Sequence, residues 1–283
     1  MRFASFLQAG SERFGTVTGD VVLPFAPPVV SLYDYFAVAA SERAGLRAEA
    51  PLALTDVTLL APVKPRKNVF CVGRNYMGHA EEIARARAIP LNLPSVPTFF
   101  TKVTTSLANP NAMLHLSPAL SQQYDWEAEL AVVIGARCRD VAEADALDVV
   151  FGYTCLNDVT ARDLQKDHHQ WFKGKSLDDT CPIGPWIVSA DELGDPQKLD
   201  IAIRIDGATK QSANTREMIF NVRAIIASLS RGMTLEPGDV IATGTPDGVG
   251  MARTPPEWLH DGSTMEVDIP AIGVLRNTIA FAN

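Results

Sequence analysis

The feature that most constrains this fold is a succession of short apolar runs from residue 68 almost to the end of the chain. The runs are rich in Val, Ile, Phe and Thr, and most of them end at a Gly, Pro or Asp that favours a turn. Patterns long enough for a helix are few between them. The chain is therefore predicted to be β-rich, with a barrel or a sandwich-like sheet rather than a doubly wound βαβ fold. The clearest runs are NVFCVG, TFFTKV, ELAVVIG, VVFGYTCL, LDIAIRIDG, GDVIATG and STMEVDI.

The first part of the chain has a pattern of its own. Residues 2–6 and 14–25 look like short strands joined by a Thr-Gly-Asp turn, and a helical pattern over residues 31–45 ends at Gly45. A segment bracketed by prolines then leads to residue 65. We predict a small N-terminal α/β lobe over residues 1–62 and a main domain over residues 63–283.

Two helical patterns interrupt the strands of the main domain. One covers residues 79–88, HAEEIARARA. The other runs from Thr215 to Gly232, where apolar residues recur at helical spacing and Gly232 is the expected stop. The second pattern predicts a helix that packs on the core.

Charge and composition argue against several classes of protein. The 283 residues carry a net charge of −8 with a pI near 5.1, so no nucleic-acid partner is expected. No apolar window is long enough for a signal peptide or a membrane span, which predicts a cytoplasmic protein with no membrane partner. Four scattered cysteines without a C-x-x-C motif indicate neither a zinc site nor a disulfide scaffold, and buried thiols are expected.

One apolar run begins with acidic residues. In YDWEAELAVVIG, Asp125, Glu127 and Glu129 are spaced by two, so on a continuous strand they lie on one face. Two interpretations are open at this point. On a solvent face the acids would protect the start of a sticky strand from aggregation, whereas in a cavity several like charges would need a counter-ion.

Another acid stands at the end of a second apolar run. Asp158 follows GYTCLN, where a strand gives way to a helix-like turn, and a strand end is a place from which a side chain can enter a pocket. Glu127, Glu129 and Asp158 therefore form a candidate three-carboxylate site. Ligation by oxygen alone favours Mg²⁺ or Mn²⁺, with Ca²⁺ as an alternative. Asp158 could equally serve as the N-cap of the turn TARDLQ.

Three further residues have side chains suited to catalysis. His79 and Glu82 share a face of the first helical pattern, where the carboxylate would orient the histidine as a general base for water. A solvated helix with an incidental charge pair is the alternative. Lys175 follows in WFKGKS, and the residues alone do not separate an active-site lysine from a surface one.

These motifs occur in the order found in a known family. Together they resemble the fumarylacetoacetate hydrolase family over about residues 60–283. The resemblance implies an α+β, β-rich fold with a rolled mixed β-sheet or barrel core, a bound Mg²⁺ or Mn²⁺, and a homodimer. The segments that carry it are CVGRNYMGHAEE, FTKVTTSL, QQYDWEAELAVVIG, GYTCLNDVTARDLQ, QWFKGKSLDDTCPIGPWIV and LEPGDVIATGTPDGVG.

The resemblance also implies roles for individual residues, and Asp125 receives none. The implied metal ligands are Glu127, Glu129 and Asp158. The implied catalytic residues are Lys175 and the water-activating pair of His79 and Glu82. The implied substrate contacts are Arg74, Tyr76, Arg162, Gln165 and Thr245.

The resemblance is closer to the short, acylpyruvate hydrolase-like branch than to the longer members. The longer chains have a larger N-terminal domain and a further upstream aspartate ligand, and this sequence has Arg74, Asn75 and Tyr76 in that region. The short branch uses one scaffold for several reactions. The reaction is therefore less determined than the family.

The implied function is a divalent-metal-dependent hydrolase that cleaves a C–C bond in a β-diketo acid, of the acylpyruvate or 2,4-dioxo acid type. Decarboxylation of oxaloacetate, and isomerisation, hydration or lyase chemistry on a 2-oxo-diene acid, are alternatives on the same scaffold. A non-catalytic binding protein is less favoured, because every matched position retains a competent residue. The expected partner is a small anionic 2-oxo or diketo acid.

Overall fold

The computed structural model describes residues 1–86 and 88–282, so that Arg87 and Asn283 lie outside the described range. Strands dominate the described residues, and the helices are short. The strands are β1 (Arg2–Gln8), β2 (Ser11–Thr18), β3 (Val21–Pro24), β4 (Leu52–Ala53), β5 (Thr58–Leu60), β6 (Val69–Gly73), β7 (Thr98–Lys102), β8 (Leu107–Ala108), β9 (Met113–Leu116), β10 (Tyr124–Asp125), β11 (Ala128–Ile134), β12 (Val150–Asn157), β13 (Thr160–Ala161), β14 (Cys181–Ser189), β15 (Asp200–Ile205), β16 (Ala208–Asn214), β17 (Val240–Ala242), β18 (Thr264–Ile269) and β19 (Gly273–Phe281).

Short helices connect many of these strands. None of the helices in the described ranges is long and apolar enough to cross a membrane. The α-helices are α1 (Leu32–Ala37), α2 (Met77–Ala86), α3 (Arg162–Asp167), α4 (Phe172–Lys175), α5 (Ala190–Leu193) and α6 (Val222–Ser230). The 3₁₀ segments are Ala40–Gly45, Leu54–Asp56, Thr104–Ser106, Glu143–Val149, Thr215–Glu217 and Gly250–Ala252.

Two sheets form the core. The larger has the order β4-β3-β2-β1-β14-β12-β11-β17-β6-β7, with β5 also paired to β1 and β8 to β14. Most of its pairs are antiparallel, whereas β17 with β6 and β14 with β8 are parallel. The second sheet has the order β16-β15-β18-β19-β9. The prediction of a β-rich α+β fold with a mixed sheet is confirmed.

Strand β11 lies between two apolar clusters. Leu130, Val132 and Ile134 pack into a cluster that includes residues of the second sheet and of α6. Ala131 and Val133 belong to a cluster on the other side of the strand. All seven residues of β11 are buried, as expected for a central strand covered on both faces. The ends of this strand are consequently held in fixed positions.

The N-terminal segment extends the larger sheet. Strand β1 pairs antiparallel with β14, with Arg2 opposite Val188. Aromatic rings of this segment pack against the sheet, and the ring centroids of Phe3 and Phe151 are 5.0 Å apart. The boundary of the lobe at residues 62 and 63 stays a prediction.

Two of the predicted helices are interrupted. The pattern over residues 31–45 forms α1, capped by the Ser31 side chain, and then a separate 3₁₀ segment. The pattern from Thr215 to Gly232 forms a 3₁₀ turn and then α6, because the Asn221 side chain accepts from the N–H of Ala224 and begins a new helix. Helix α2 starts two residues before the predicted His79, and Arg87 in that pattern lies outside the described residues.

Candidate active site

The acidic run does not form one continuous strand. Strand β10 pairs with β13 and β11 pairs with β12, so the chain changes partners at Trp126 and Glu127. The Asn157 side chain accepts from the N–H of Glu127 at 3.0 Å, and the Glu127 carbonyl accepts from the N–H of Asp158 at 2.9 Å. The prediction of unbroken alternation is therefore wrong at this point. The break fixes Glu127 and Asp158 beside each other.

Three carboxylates meet at the break. One oxygen from each of Glu127, Glu129 and Asp158 lies within 4.8 Å of the other two, and all three residues are buried. The interpretation of the two glutamates as a solvent-facing strand start is consequently wrong. Asp158 is not a helix cap either, since α3 begins at Arg162 with no side-chain capping bond.

Five short ion pairs join six buried side chains of alternating charge, which we call the charged line. None of the six side chains is more than 7% exposed. Its members in order are Asp125, Arg162, Glu127, Lys175, Asp158 and Lys102. The successive N–O distances are 2.8, 2.7, 2.7, 2.7 and 2.7 Å. Each charge is thereby neutralised by its neighbours in a region shielded from water.

Glu127 lies in the middle of the charged line. Burial opposes its ionisation, but Lys175 and Arg162 outweigh burial and hold the pKa of Glu127 at about 2. Burial likewise opposes the charge of Lys175, yet Asp158 and Glu127 raise the pKa of this lysine above its ordinary value. Lys175 is 2% exposed, so the reading as a surface lysine is wrong.

Glu129 stands beside the charged line without a cationic partner. Burial raises its pKa well above the usual range, and the nearby charges of Asp158 and Glu127 raise it further. Its Oε2 accepts from the N–H of Gly244 at 2.7 Å. Gly244 has a φ of +98°, a conformation that favours glycine. Among the described residues, no Lys, Arg or His nitrogen lies within ion-pair distance of Glu129.

The donor set fits a hard divalent cation. If all four buried carboxylates, those of the charged line and Glu129, are ionised, they exceed the three cationic side chains of the line by one negative charge. Three of the carboxylates converge on one point, and oxygen ligands of this kind suit Mg²⁺, Mn²⁺ or Ca²⁺. A divalent cation held by Glu127, Glu129 and Asp158 would give Glu129 the cationic partner that it lacks.

A histidine and a glutamate on α2 stand over the carboxylates. His79 Nδ1 lies 3.3 Å from Glu82 Oε2, and Glu82 Oε1 accepts from the N–H of Gly248 at 2.8 Å. His79 is 7% exposed and lines the same cavity as Glu127 and Glu129. The pair is therefore built into the site and is not an incidental contact on a solvated helix. The contact with Glu82 is made by Nδ1 of His79 and not by its second ring nitrogen, Nε2.

The cavity has a volume of about 640 Å³ and contains most of the predicted substrate contacts. Arg162, Gln165 and Thr245 line it, and the exposed Arg74 stands at its mouth with its guanidinium 5.6 Å from the Trp171 ring. Tyr76 is not among the lining residues. It is 1% exposed, and its hydroxyl has no hydrogen-bond partner among the described residues.

Several residues of the site escaped the sequence-based prediction. Lys102 has the clearest local signal, because TFFTKV contains one lysine in an otherwise uncharged run. The resemblance implies no role for Asp125, although it shares the spacing of Glu127 and Glu129. Aromatic and amide side chains of the cavity wall carry no local signal at all. These are Phe100, Gln123, Trp171 and Trp258.

The β-rich fold thus places a buried carboxylate centre beneath a histidine–glutamate pair, an arrangement suited to acid–base chemistry. Residues 68–280 match the family model described as fumarylacetoacetate (FAA) hydrolase C-terminal, and residues 1–62 match one described as Rv2993c-like, N-terminal. The chain belongs to the fumarylacetoacetate hydrolase family, and it is an enzyme of that family.

Curated relatives have different activities. The chain is 45% identical over 227 residues to oxaloacetate tautomerase YisK of Bacillus subtilis, a match covering 80% of this chain and 74% of the relative. It is 40% identical over 282 residues to 2,4-didehydro-3-deoxy-L-rhamnonate hydrolase of a Sphingomonas strain, covering 99% of this chain and 96% of the relative. The family is thus fixed, and the reaction varies within it.

Solved structures agree with the fold over the whole chain. A fumarylacetoacetate hydrolase from Exiguobacterium antarcticum has a TM-score of 0.86 and 40% identity, covering 100% of both chains. Maleylpyruvate hydrolase from Sphingobium sp. SYK-6, solved with manganese (II) ion and pyruvate, has a TM-score of 0.79 and 31% identity, again covering 100% of both chains.

Proposed function

We propose that this enzyme is a divalent-metal-dependent hydrolase that cleaves the C–C bond of a β-diketo acid of the acylpyruvate or 2,4-dioxo acid type. The observation that carries the proposal is the contact between His79 and Glu82 in the same cavity as the three carboxylates. A hydrolase needs a base that takes a proton from water, and an oriented histidine is suited to it. The hydrolase relative also aligns over nearly the full length of both chains.

The carboxylates Glu127, Glu129 and Asp158 would hold Mg²⁺ or Mn²⁺, with Ca²⁺ as an alternative. When bound, the cation supplies Lewis acidity toward the 2-oxo acid end of the substrate. The manganese and pyruvate in the maleylpyruvate hydrolase structure support this choice. Whichever ion is bound, the protein's own side chains must orient the substrate acid and transfer its protons.

Proton transfer is assigned to the pair on α2. Glu82 holds the imidazole through Nδ1, which leaves His79 Nε2 to take a proton from water. The oxygen of that water attacks the C4 carbonyl, and the C3–C4 bond breaks with its electron pair left on C3. The proton held by His79 is then returned to C3, which completes one carboxylic acid and one pyruvate, so that a single water is consumed for each bond cleaved.

Cationic and polar side chains are assigned to the substrate's anionic groups. Lys175 places positive charge beside the carboxylate centre, where the enolate charge develops, and Arg162 offers positive charge to the substrate's carboxylate. Gln165 and Thr245 line the same cavity and offer hydrogen bonds to the acid. Arg74 at the mouth is positioned for the distal part of the substrate.

Tautomerisation of oxaloacetate is the second candidate. The tautomerase relative has 45% identity, the higher of the two curated values. This reaction moves protons between C3 and the C2 oxygen and breaks no C–C bond. It needs the carboxylate centre and a proton carrier but no attacking water. The same residues would therefore support it without water activation by His79.

Product analysis separates the candidates. The purified enzyme would be incubated with Mn²⁺ and a panel of 2-oxo acids in ¹⁸O-labelled water, with products resolved by mass spectrometry. Hydrolysis predicts pyruvate plus a carboxylic acid that carries the label, and chelation of the metal should abolish the reaction. Exchange of the oxaloacetate tautomers without any cleavage product would replace hydrolysis by tautomerisation. Turnover unaffected by chelation would contradict the metal-dependent mechanism.

Two further expectations stay predictions. The first is that the enzyme is a homodimer, which sedimentation of the purified protein would test. The second is that it works in the cytoplasm, which localisation of a tagged chain in its host would test. Neither result alters the assignment of the carboxylate centre.

A further inference from the structure

Asp125 lies at one end of the charged line. Neither the resemblance nor the catalytic proposal gives this residue a role. It is 0% exposed, and its two oxygens accept four hydrogen bonds. Oδ1 accepts from the N–H groups of Trp126 at 2.8 Å and Gly250 at 2.7 Å. Oδ2 accepts from the N–H of Met251 at 3.0 Å and from Arg162 Nε at 2.8 Å.

This set of bonds distinguishes Asp125 from the neighbouring acids. A carboxylate has about four lone-pair sites, so four donors leave none for a metal ion or for substrate. Glu127, only two residues away, instead lines the cavity and pairs with two cationic side chains. Asp125 is therefore a fixed acceptor, three of whose four donors are backbone groups.

The fixed acceptor determines how Arg162 is oriented. Arg162 Nε donates to Asp125. Arg162 Nη1 lies 2.7 Å from Glu127 Oε1 and donates to Gln165 Oε1 at 3.2 Å. The planar guanidinium has no rotational freedom left once Nε and Nη1 are both bound. Its Nη2 is buried and has no protein partner among the described residues, while Arg162 as a residue lines the cavity. One donor is thus kept free of protein partners by bonds at the other nitrogens.

The same carboxylate ties the arginine to the turn at Gly250 and Met251. A Cβ on Gly250 would lie 2.8 Å from Asp125 Oδ1 and 2.1 Å from the carbonyl of Glu257, so glycine is needed for this approach. Met251 lines the cavity. Asp125 therefore couples two parts of the cavity wall, the start of α3 and this turn, through one buried charge.

We propose that Asp125 is a positioning residue that acts through Arg162. It touches neither substrate nor metal, and it holds the guanidinium so that the remaining donor meets the substrate's carboxylate. The inference rests on the proposed role of Arg162 in binding the 2-oxo acid. Loss of the Asp125 charge should consequently weaken substrate binding far more than metal binding.

The test is a double-mutant cycle with acetylpyruvate as substrate and Mn²⁺ as metal. In Asp125→Asn, the new amide group faces the N–H of Met251 or Nε of Arg162, so that two donors oppose each other and one acceptor is lost. We expect kcat/KM to fall about 50-fold, mainly through a higher KM. In an Arg162→Ala background the same change should cost about threefold or less, because the group through which it acts is gone. Mn²⁺ affinity, measured by titration calorimetry, should stay within about threefold in Asp125→Asn.

A matched control removes a different buried carboxylate. Asp239 is 2% exposed and accepts from Lys67 Nζ at 2.8 Å and from the N–H of Glu236 at 2.8 Å, outside the cavity. Asp239→Asn should lower the melting temperature without changing kcat/KM. If Asp125→Asn does not fold, Asp125→Ser carries the same expectation, since it removes the charge without adding an amide donor.

The outcomes separate the inference from the function beneath it. If the fold losses in kcat/KM of Asp125→Asn and Arg162→Ala multiply in the double variant, the positioning role is overturned and the proposed function is left intact. A loss of Mn²⁺ affinity in Asp125→Asn equal to its loss of kcat/KM would also overturn it. An Arg162→Ala enzyme with unchanged kcat/KM would instead remove the substrate role of Arg162 on which the inference rests.

Discussion

The bottom and the mouth of the cavity are built in contrasting ways. The bottom, made of the charged line and Glu129, is almost inaccessible to water, and its charges are fixed by partners at 2.7 to 2.8 Å. The mouth carries Arg74, Lys166 and His169, all of them exposed. A buried charge interacts strongly because little water screens it, whereas an exposed charge is weakened by solvent and salt. We propose from this contrast that the bottom carries out the chemistry and that the mouth selects the substrate.

The largest effect is expected from Glu129→Gln at the bottom. Glutamine keeps the shape and an acceptor for the Gly244 N–H but removes the charge that no cationic side chain balances. We expect kcat/KM to fall about 1,000-fold together with a loss of Mn²⁺ affinity, measured by steady-state kinetics and calorimetry. Glu266→Gln, in the second sheet, serves as the control and should change neither. Normal Mn²⁺ affinity in Glu129→Gln would mean that the bottom is not the metal centre.

His79→Ala lies between the two regions and separates catalysis from metal binding. Loss of the base should reduce hydrolysis about 300-fold, because positioned acid–base groups contribute on this scale. Mn²⁺ affinity should stay unchanged, since the imidazole contacts Glu82 and not the three carboxylates. His115→Ala, on the exposed side of β9, is the matched control. A parallel loss of metal and activity would mean that His79 supports the centre instead of activating water.

Lys102→Met tests the stability of the bottom. Lys102 Nζ donates to Asp158 Oδ1 at 2.7 Å and to the Val159 carbonyl at 3.1 Å, and it is 0% exposed. Removing one partner of a buried pair should lower the free energy of unfolding by about 3 kcal/mol, measured by urea denaturation.

The matched control for Lys102→Met removes an exposed pair. Lys64 lies 2.6 Å from Glu12, with side chains 55% and 61% exposed. Lys64→Met should change the free energy of unfolding by less than about 0.5 kcal/mol. Equal costs for the two variants would contradict the difference between buried and exposed charge.

The smallest effect is expected from Lys166→Ala at the mouth. An exposed lysine attracts an anionic substrate over a distance, so its loss should lower kcat/KM about threefold at low salt. The difference should disappear at high ionic strength, because salt screens an exposed charge. Kinetics over a salt series would show this. A large loss of kcat/KM that does not depend on salt would indicate that Lys166 contacts the substrate directly, and the contrast between the mouth and the bottom would then fail at this residue.

The sequence predicted the strands better than it predicted their continuity. Alternation in YDWEAELAVVIG placed the acids on a common face, yet the change of partner at Trp126 and Glu127 depends on Asn157, thirty residues away. Helix prediction failed for a different reason at Asn221, where a capping side chain divides one helical pattern into two elements. That hydrogen bond lies within the pattern and joins Asn221 to Ala224, so the N-cap preference of asparagine outweighed the apolar spacing.

The candidate site was predicted in unequal parts. Ordered motifs were enough to select Glu127, Glu129 and Asp158, which the structure brings together, and the pair of His79 and Glu82. Tyr76 was selected by the same reasoning but lies outside the cavity lining. Trp171 and Trp258 were missed because an aromatic residue in a loop looks the same in sequence whether it covers a core or a cavity.

A β-rich chain, its family, and the acids, cations and histidine available for chemistry all follow from the sequence. How the charges of these residues combine follows from the folded structure alone. Six side chains from four segments of the sequence alternate in sign along the charged line, and Glu129 is left beside them without a cation. The physical reason is that the state of an ionisable group depends on its burial and on neighbours within a few ångströms, and sequence spacing does not fix such distances.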